Sequence, residues 1–115
     1  MTGEEPVSVL DRQQLREVTL NNSELMREIL DALIEDSSRQ TPQIEAAIRA
    51  QDSPRIMRLA HYSKGACANV GARAAASVLE DIERCARRGE YRQCDASLAA
   101  LGRELDRLRD AAATI

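Results

Sequence analysis

Residues 91–112 read YRQCDASLAALGRELDRLRDAA, and within them Cys94, Leu98, Leu101, Leu105, Leu108 and Ala112 recur at alternating steps of four and three. That spacing holds the apolar side chains on one narrow stripe of an α-helix, the seam of a helix packed lengthwise in a bundle. Glu104, Asp106, Arg107 and Arg109 fall between the seam positions and belong to a solvated face. The chain carries only five Gly and three Pro, apolar residues recur at helical steps almost throughout, and no segment alternates like a strand. The class is therefore all-α.

Working outward, Gly89 is a left-handed stop for a preceding helix over 72–88 that carries Ala75, Val78, Leu79, Ile82, Cys85 and Ala86 inward. Gly71 separates it from a helix over 54–69, which Asp52 caps and Pro54 opens at its first position. Further back, Leu25, Ile29, Ala32 and Leu33 line one side of a helix whose apolar stripe resumes at Ile44, Ala47 and Ile48. Leu33 and Ile44 are about three turns apart, so one long helix over 22–50 is expected, kinked near Pro42 where a ladder hydrogen bond is missing. Val9, Leu10, Leu15 and Val18 suggest a short first helix over 8–19 lying across one end. Residues 1–7 read as a frayed tail, and residues 8–115 as a single domain. Four long helices with short connections imply an antiparallel up-down-up-down four-helix bundle with a short additional N-terminal helix.

The composition bounds the function. At 115 residues, 43% hydrophobic and 30% charged, the chain is one small domain with enough Leu, Ile, Val and Ala for an independent core. Its net charge of −3 and lack of a basic stretch disfavour binding to a phosphate backbone. Two Tyr, with no Trp or Phe, make no stacking platform for bases. The acidic N-terminus lacks an apolar leader core, and no apolar run reaches the roughly 18 residues of a membrane span. A soluble, cytoplasmic protein is expected. Cys67, Cys85 and Cys94 are odd in number and lie inside helical patterns, as small core hydrophobes kept reduced.

Fifteen of the sixteen basic residues are Arg, so the single Lys, Lys64, and the single His, His61, stand out. On the helix over 54–69, Ile56, Leu59, Ala60, Ser63, Ala66, Cys67 and Val70 share the buried side. His61 falls on the other side with Met57, Lys64, Gly65 and Ala68, and with Arg58 slightly further round. Gly65 costs a mid-helix position about 1 kcal/mol relative to Ala, which implies that something needs the space it leaves. An imidazole is largely neutral and nucleophilic near neutral pH, and an ammonium beside it stabilises negative charge placed on it. Phosphoryl transfer requires that pair of properties. A surface His near a Lys is also common as plain solvated decoration, and metal binding through His61 and a thiolate is disfavoured because Cys67 projects inward.

Residues 60–72, Ala-His-Tyr-Ser-Lys-Gly-Ala-Cys-Ala-Asn-Val-Gly-Ala, closely resemble the signature of histidine-containing phosphotransfer (HPt) domains, and residues 82–89, Ile-Glu-Arg-Cys-Ala-Arg-Arg-Gly, resemble that family's second motif. The resemblance spans roughly residues 8–112. It implies that His61 accepts and donates a phosphoryl group, that Lys64 is the cation beside it, and that Gly65 admits a response-regulator receiver domain. Arg58 would steer the receiver's acidic pocket, and an exposed Met57 would anchor the contact next to Ala68. Ser63 stands where an apolar residue is usual; its hydroxyl can bond back to the carbonyl one turn earlier, and slightly looser packing with activity kept is expected. The implied protein is a phosphoryl carrier without kinase activity of its own, cofactor-free, with Mg²⁺ on the partner receiver. Its partners would be receiver domains and a hybrid histidine kinase, and it would be a monomer. The competing reading is a helical adaptor or inhibitor that binds a receiver or histidine kinase without carrying phosphate.

Overall fold

The structure, a computed structural model, describes residues 7–115, so all but the last residue of the expected tail lies outside the described residues. Among the described residues five helices follow one another: α1 (Arg12–Val18), α2 (Ser23–Arg49), α3 (Ser53–Val70), α4 (Arg73–Arg87) and α5 (Tyr91–Ala112). The long helices α2 to α5 are joined by connections of two or three residues and pack in a closed ring, α2 on α3, α3 on α4, α4 on α5 and α5 back on α2. Short connections force antiparallel neighbours, and the result is a four-helix bundle. Among the described residues no helix is long and apolar enough to cross a membrane.

Local chemistry sets most boundaries. Asn22 Oδ1 accepts the Leu25 amide at 3.0 Å and Asp52 Oδ1 accepts that of Arg55 at 3.2 Å, each relieving one unpaired donor at a helix start. Pro54 sits in the first turn of α3, and Gly89, at φ 69, follows the end of α4 in the left-handed region. α2 runs unbroken through Pro42.

Two sequence expectations need correction. The first helix begins at Arg12 rather than residue 8 because the preceding backbone is used elsewhere. The Ser8 carbonyl accepts the Ala74 amide at 3.0 Å, and the Asp11 amide donates to the Gly71 carbonyl at 2.8 Å. The segment is thereby strapped across the α3–α4 turn, and Asp11 then caps α1 through the Gln14 amide. Val9 and Leu10 still pack against the core from this strap, whereas Val18 is exposed.

The second correction concerns α2, whose inward stripe is Met26, Leu30, Leu33, Ile34, Ser37, Ile44, Ala47 and Ile48. Leu25 is 38% exposed and Ala32 also faces outward, with Ile29 half-buried. The phase explains the choice: Met26 and Ile44 are 18 residues apart, about five whole turns at 3.6 residues per turn. Leu25 is one residue, and so ~100°, out of step with Ile44.

The core is aliphatic. Leu15, Leu30, Ile44, Ile56, Leu79, Ile82, Leu101 and Leu108 are fully buried together with Cys67 and Cys94. All three cysteines are free and buried. Burial pushes the Cys67 and Cys94 thiols up to about 11 and also raises Cys85. These are inert packing residues rather than reactive thiols.

Candidate functional site

α3 carries the site on the side it turns away from the bundle core. Ile56, Ala60, Ser63 and Cys67 are its buried positions, with Leu59, Ala66 and Val70 half-buried beside them. This leaves His61 outward with its side chain 72% exposed. Lys64, one turn on, is only 28% exposed because its stem lies along the protein and its ammonium turns toward α4.

The residue that joins them is Glu83, the acid of the second motif, to which its spacing alone attaches no role. Glu83 lies on the apolar side of α4 among Leu79, Ile82 and Ala86 and is just 7% exposed. One carboxylate oxygen, Oε2, is 3.2 Å from His61 Nδ1, and the other, Oε1, is 2.8 Å from Lys64 Nζ. A buried carboxylate is costly unless paired, and this one is held by the chain's single His and single Lys. The two contacts differ in kind. The His61 contact has hydrogen-bond geometry, whereas the ammonium approaches Oε1 outside it, so that oxygen has a counterion but no directional donor. An acid embedded in the apolar stripe of α4 was the available sequence signal for Glu83.

This geometry selects a ring tautomer. An ionised carboxylate only accepts, so the neutral imidazole carries its proton on Nδ1 and presents a lone pair at Nε2. Nε2 is then the ring nitrogen with a lone pair not turned to Glu83, on a side chain 72% exposed.

The remaining predicted residues divide. Gly65 and Ala68 are exposed beside His61, and a Cβ built on Gly65 meets nothing within 4 Å. The bundle itself does not require a glycine there. Arg58 is exposed on the same side, as expected. Met57 is not exposed; it is half-buried and packs against the core, because its position on α3 turns it back toward the bundle. The exposed large apolar side chain of α3 is Tyr62, 60% exposed and turned about 100° round the helix from His61. Ser63 is buried, and among the described residues its hydroxyl has no hydrogen-bond partner, so the back-bond open to it is not made. From α1, Gln14 Nε2 donates to the Ala68 carbonyl at 2.7 Å and the Asn69 carbonyl at 3.2 Å, closing the end of α3. An open groove of about 470 Å³ runs beside the site, lined by Gln14, Lys64, Gly65, Ala68, Ala76 and Glu80 among others.

Residues 28–111 match the family model of the Hpt domain, and the chain belongs to that family. This places it among the histidine phosphotransfer proteins of phosphorelays; the match begins inside α2 and leaves α1 outside it. Solved structures with the same fold include histidine-containing phosphotransfer protein B of Pseudomonas aeruginosa PAO1, 27% identical over 95% of each chain with a TM-score of 0.84. A histidine-containing phosphotransfer protein of Medicago truncatula, 23% identical, covers 89% of this chain and 73% of its own at a TM-score of 0.76. No curated protein matches significantly.

Proposed function

We propose that His61 is the phosphoacceptor and that it exchanges a phosphoryl group with the aspartate of response-regulator receiver domains. The observation that carries this reading is the Glu83 carboxylate at 3.2 Å from Nδ1, which leaves Nε2 as the free nucleophile on an exposed helix face. In the accepting direction Nε2 attacks the phosphorus of the aspartyl phosphate. The N–P bond forms, the bond from phosphorus to the aspartate oxygen breaks, and a free carboxylate leaves. The ring keeps its Nδ1 proton and becomes a cation facing Glu83. The donating direction is the reverse.

In-line displacement at phosphorus depends mainly on positioning and charge stabilisation, which Lys64 supplies from this chain and Mg²⁺ from the receiver. Arg58 adds positive potential on the approach side and Gly65 leaves room for the receiver backbone. The chain needs no cofactor of its own and is a carrier with no kinase activity. It works as a cytoplasmic monomer between a hybrid histidine kinase and a receiver. The three free, buried thiols are consistent with a reducing compartment.

Phosphotransfer from phosphorylated receiver domains, followed on wild type, His61→Gln and Lys64→Ala, tests the assignment. Wild type should acquire an acid-labile, alkali-stable label, His61→Gln none, and Lys64→Ala the same label at least several-fold more slowly. Equal labelling of the His61→Gln protein would refute the role of His61. Undiminished receiver binding by His61→Gln, with no transfer to any wild-type sample, would favour the adaptor reading.

A further inference from the structure

In the resting protein the cation meant for the phosphoryl group is already engaged, because Lys64 Nζ stands 2.8 Å from Glu83 Oε1. We infer that Lys64 changes partner on phosphorylation, leaving Glu83 for the phosphoryl oxygens while Glu83 keeps the ring through Nδ1; this rests on His61 being the phosphoacceptor.

The charges support an exchange. The form of the cluster that can attack phosphorus holds a neutral ring, an ammonium and a carboxylate. Bond formation at Nε2 consumes the ring lone pair, so the ring gains a positive charge and the attached phosphoryl group brings about two negative ones. At equal distance the ammonium is drawn to the phosphoryl group about twice as strongly as to a carboxylate. Removing Lys64 from Glu83 would ordinarily strand a buried anion. Here the new cation forms 3.2 Å away on the other carboxylate oxygen, so Glu83 trades one counterion for another without moving.

The geometry permits the motion. The ammonium contact on Oε1 is a charge contact without hydrogen-bond direction, so what must be replaced when it breaks is a counterion and not a geometry. Lys64 ends a flexible four-carbon stem, and the space above Gly65 is open on its solvent side. Glu83 is thus a positioning residue that parks the lysine in one state and balances the ring in the other.

The composition makes the test direct. With one Lys and one His in the chain, ¹⁵N-lysine and ¹⁵N-histidine labelling give a single ammonium signal and two ring signals. Phosphoramidate serves as donor: Nε2 attacks its phosphorus, the donor P–N bond breaks and ammonia leaves. Ring ¹⁵N and ³¹P spectra then show whether His61 itself is modified.

In the unphosphorylated protein Glu83→Gln should shift the ammonium signal, and in the phosphorylated protein that shift should shrink several-fold. Wild type alone gives an independent reading, should Glu83→Gln fail to fold. Dipolar dephasing of the ammonium ¹⁵N by ³¹P in frozen solution should be strong once His61 is phosphorylated. Modified His61 with an undiminished Glu83→Gln shift, or without dephasing, overturns the exchange and leaves the phosphoacceptor role standing. An unmodified His61 overturns both.

Discussion

At Gly65 the needs of the bundle and those of the proposed receiver contact can be measured apart. A methyl group there meets nothing within 4 Å, so Gly65→Ala is expected to raise the unfolding free energy by ~0.5–1 kcal/mol through helix propensity. If the receiver docks over this face as proposed, transfer should fall at the same time, and more steeply for Gly65→Leu, because the side chain would enter the proposed contact. Urea unfolding and transfer rates on the same samples check both; a bulky residue that leaves transfer unchanged would remove Gly65 from the docking surface. His61, Lys64 and Gly65 were legible in the sequence because each is conspicuous alone: one imidazole, one ammonium, and a glycine in mid-helix. Glu83 was not, because its role depends on how α3 and α4 are registered, and periodicity within each helix does not report that. Met57 was misread for a related reason, since a residue at the border of a helical face is buried or exposed according to its neighbours.

The helices themselves were read closely, with α3, α4 and α5 within one residue of their expected ends. Expectation failed where distant backbone groups compete. Ser8 and Asp11 spend their hydrogen bonds on the α3–α4 turn, which no local pattern announces. The same contact gives Gly71 a second constraint beyond its φ of 89, because a Cβ there would lie 2.7 Å from the Asp11 carbonyl oxygen. Gly89, at φ 69, has open space around it. Gly89→Ala should therefore cost ~1 kcal/mol of stability, for the backbone alone, and Gly71→Ala at least ~2–3 kcal/mol. Denaturant midpoints compare the two, and equal losses would mean that the strap yields freely. Hydrogen exchange should show the α1 amides opening in Gly71→Ala before those of α5.

At the scale of the whole molecule, the aliphatic core ties stability to thiol protonation. Cys67 and Cys94 are held at about 11 in the fold, against 9.0 as the ordinary value, because burial disfavours the thiolate. The folded state thus binds more protons than the unfolded state between those values. Their contribution is complete below about pH 9 and is lost as pH rises toward 11, by up to ~2–3 kcal/mol for each thiol. A urea midpoint that stays level across pH 9–11 would show that the thiols are not titrating in the unfolding reaction. The two tyrosines have a separate consequence. Tyr62 is open to solvent next to His61, whereas Tyr91 is tied to Ser53 and to the Gln51 carbonyl at the α2–α3 connection. Without tryptophan, near-ultraviolet emission comes from these two rings alone, so the protein carries its own pair of optical reporters. A partner arriving at the histidine should change the light from Tyr62, while Tyr91 responds when the bundle comes apart.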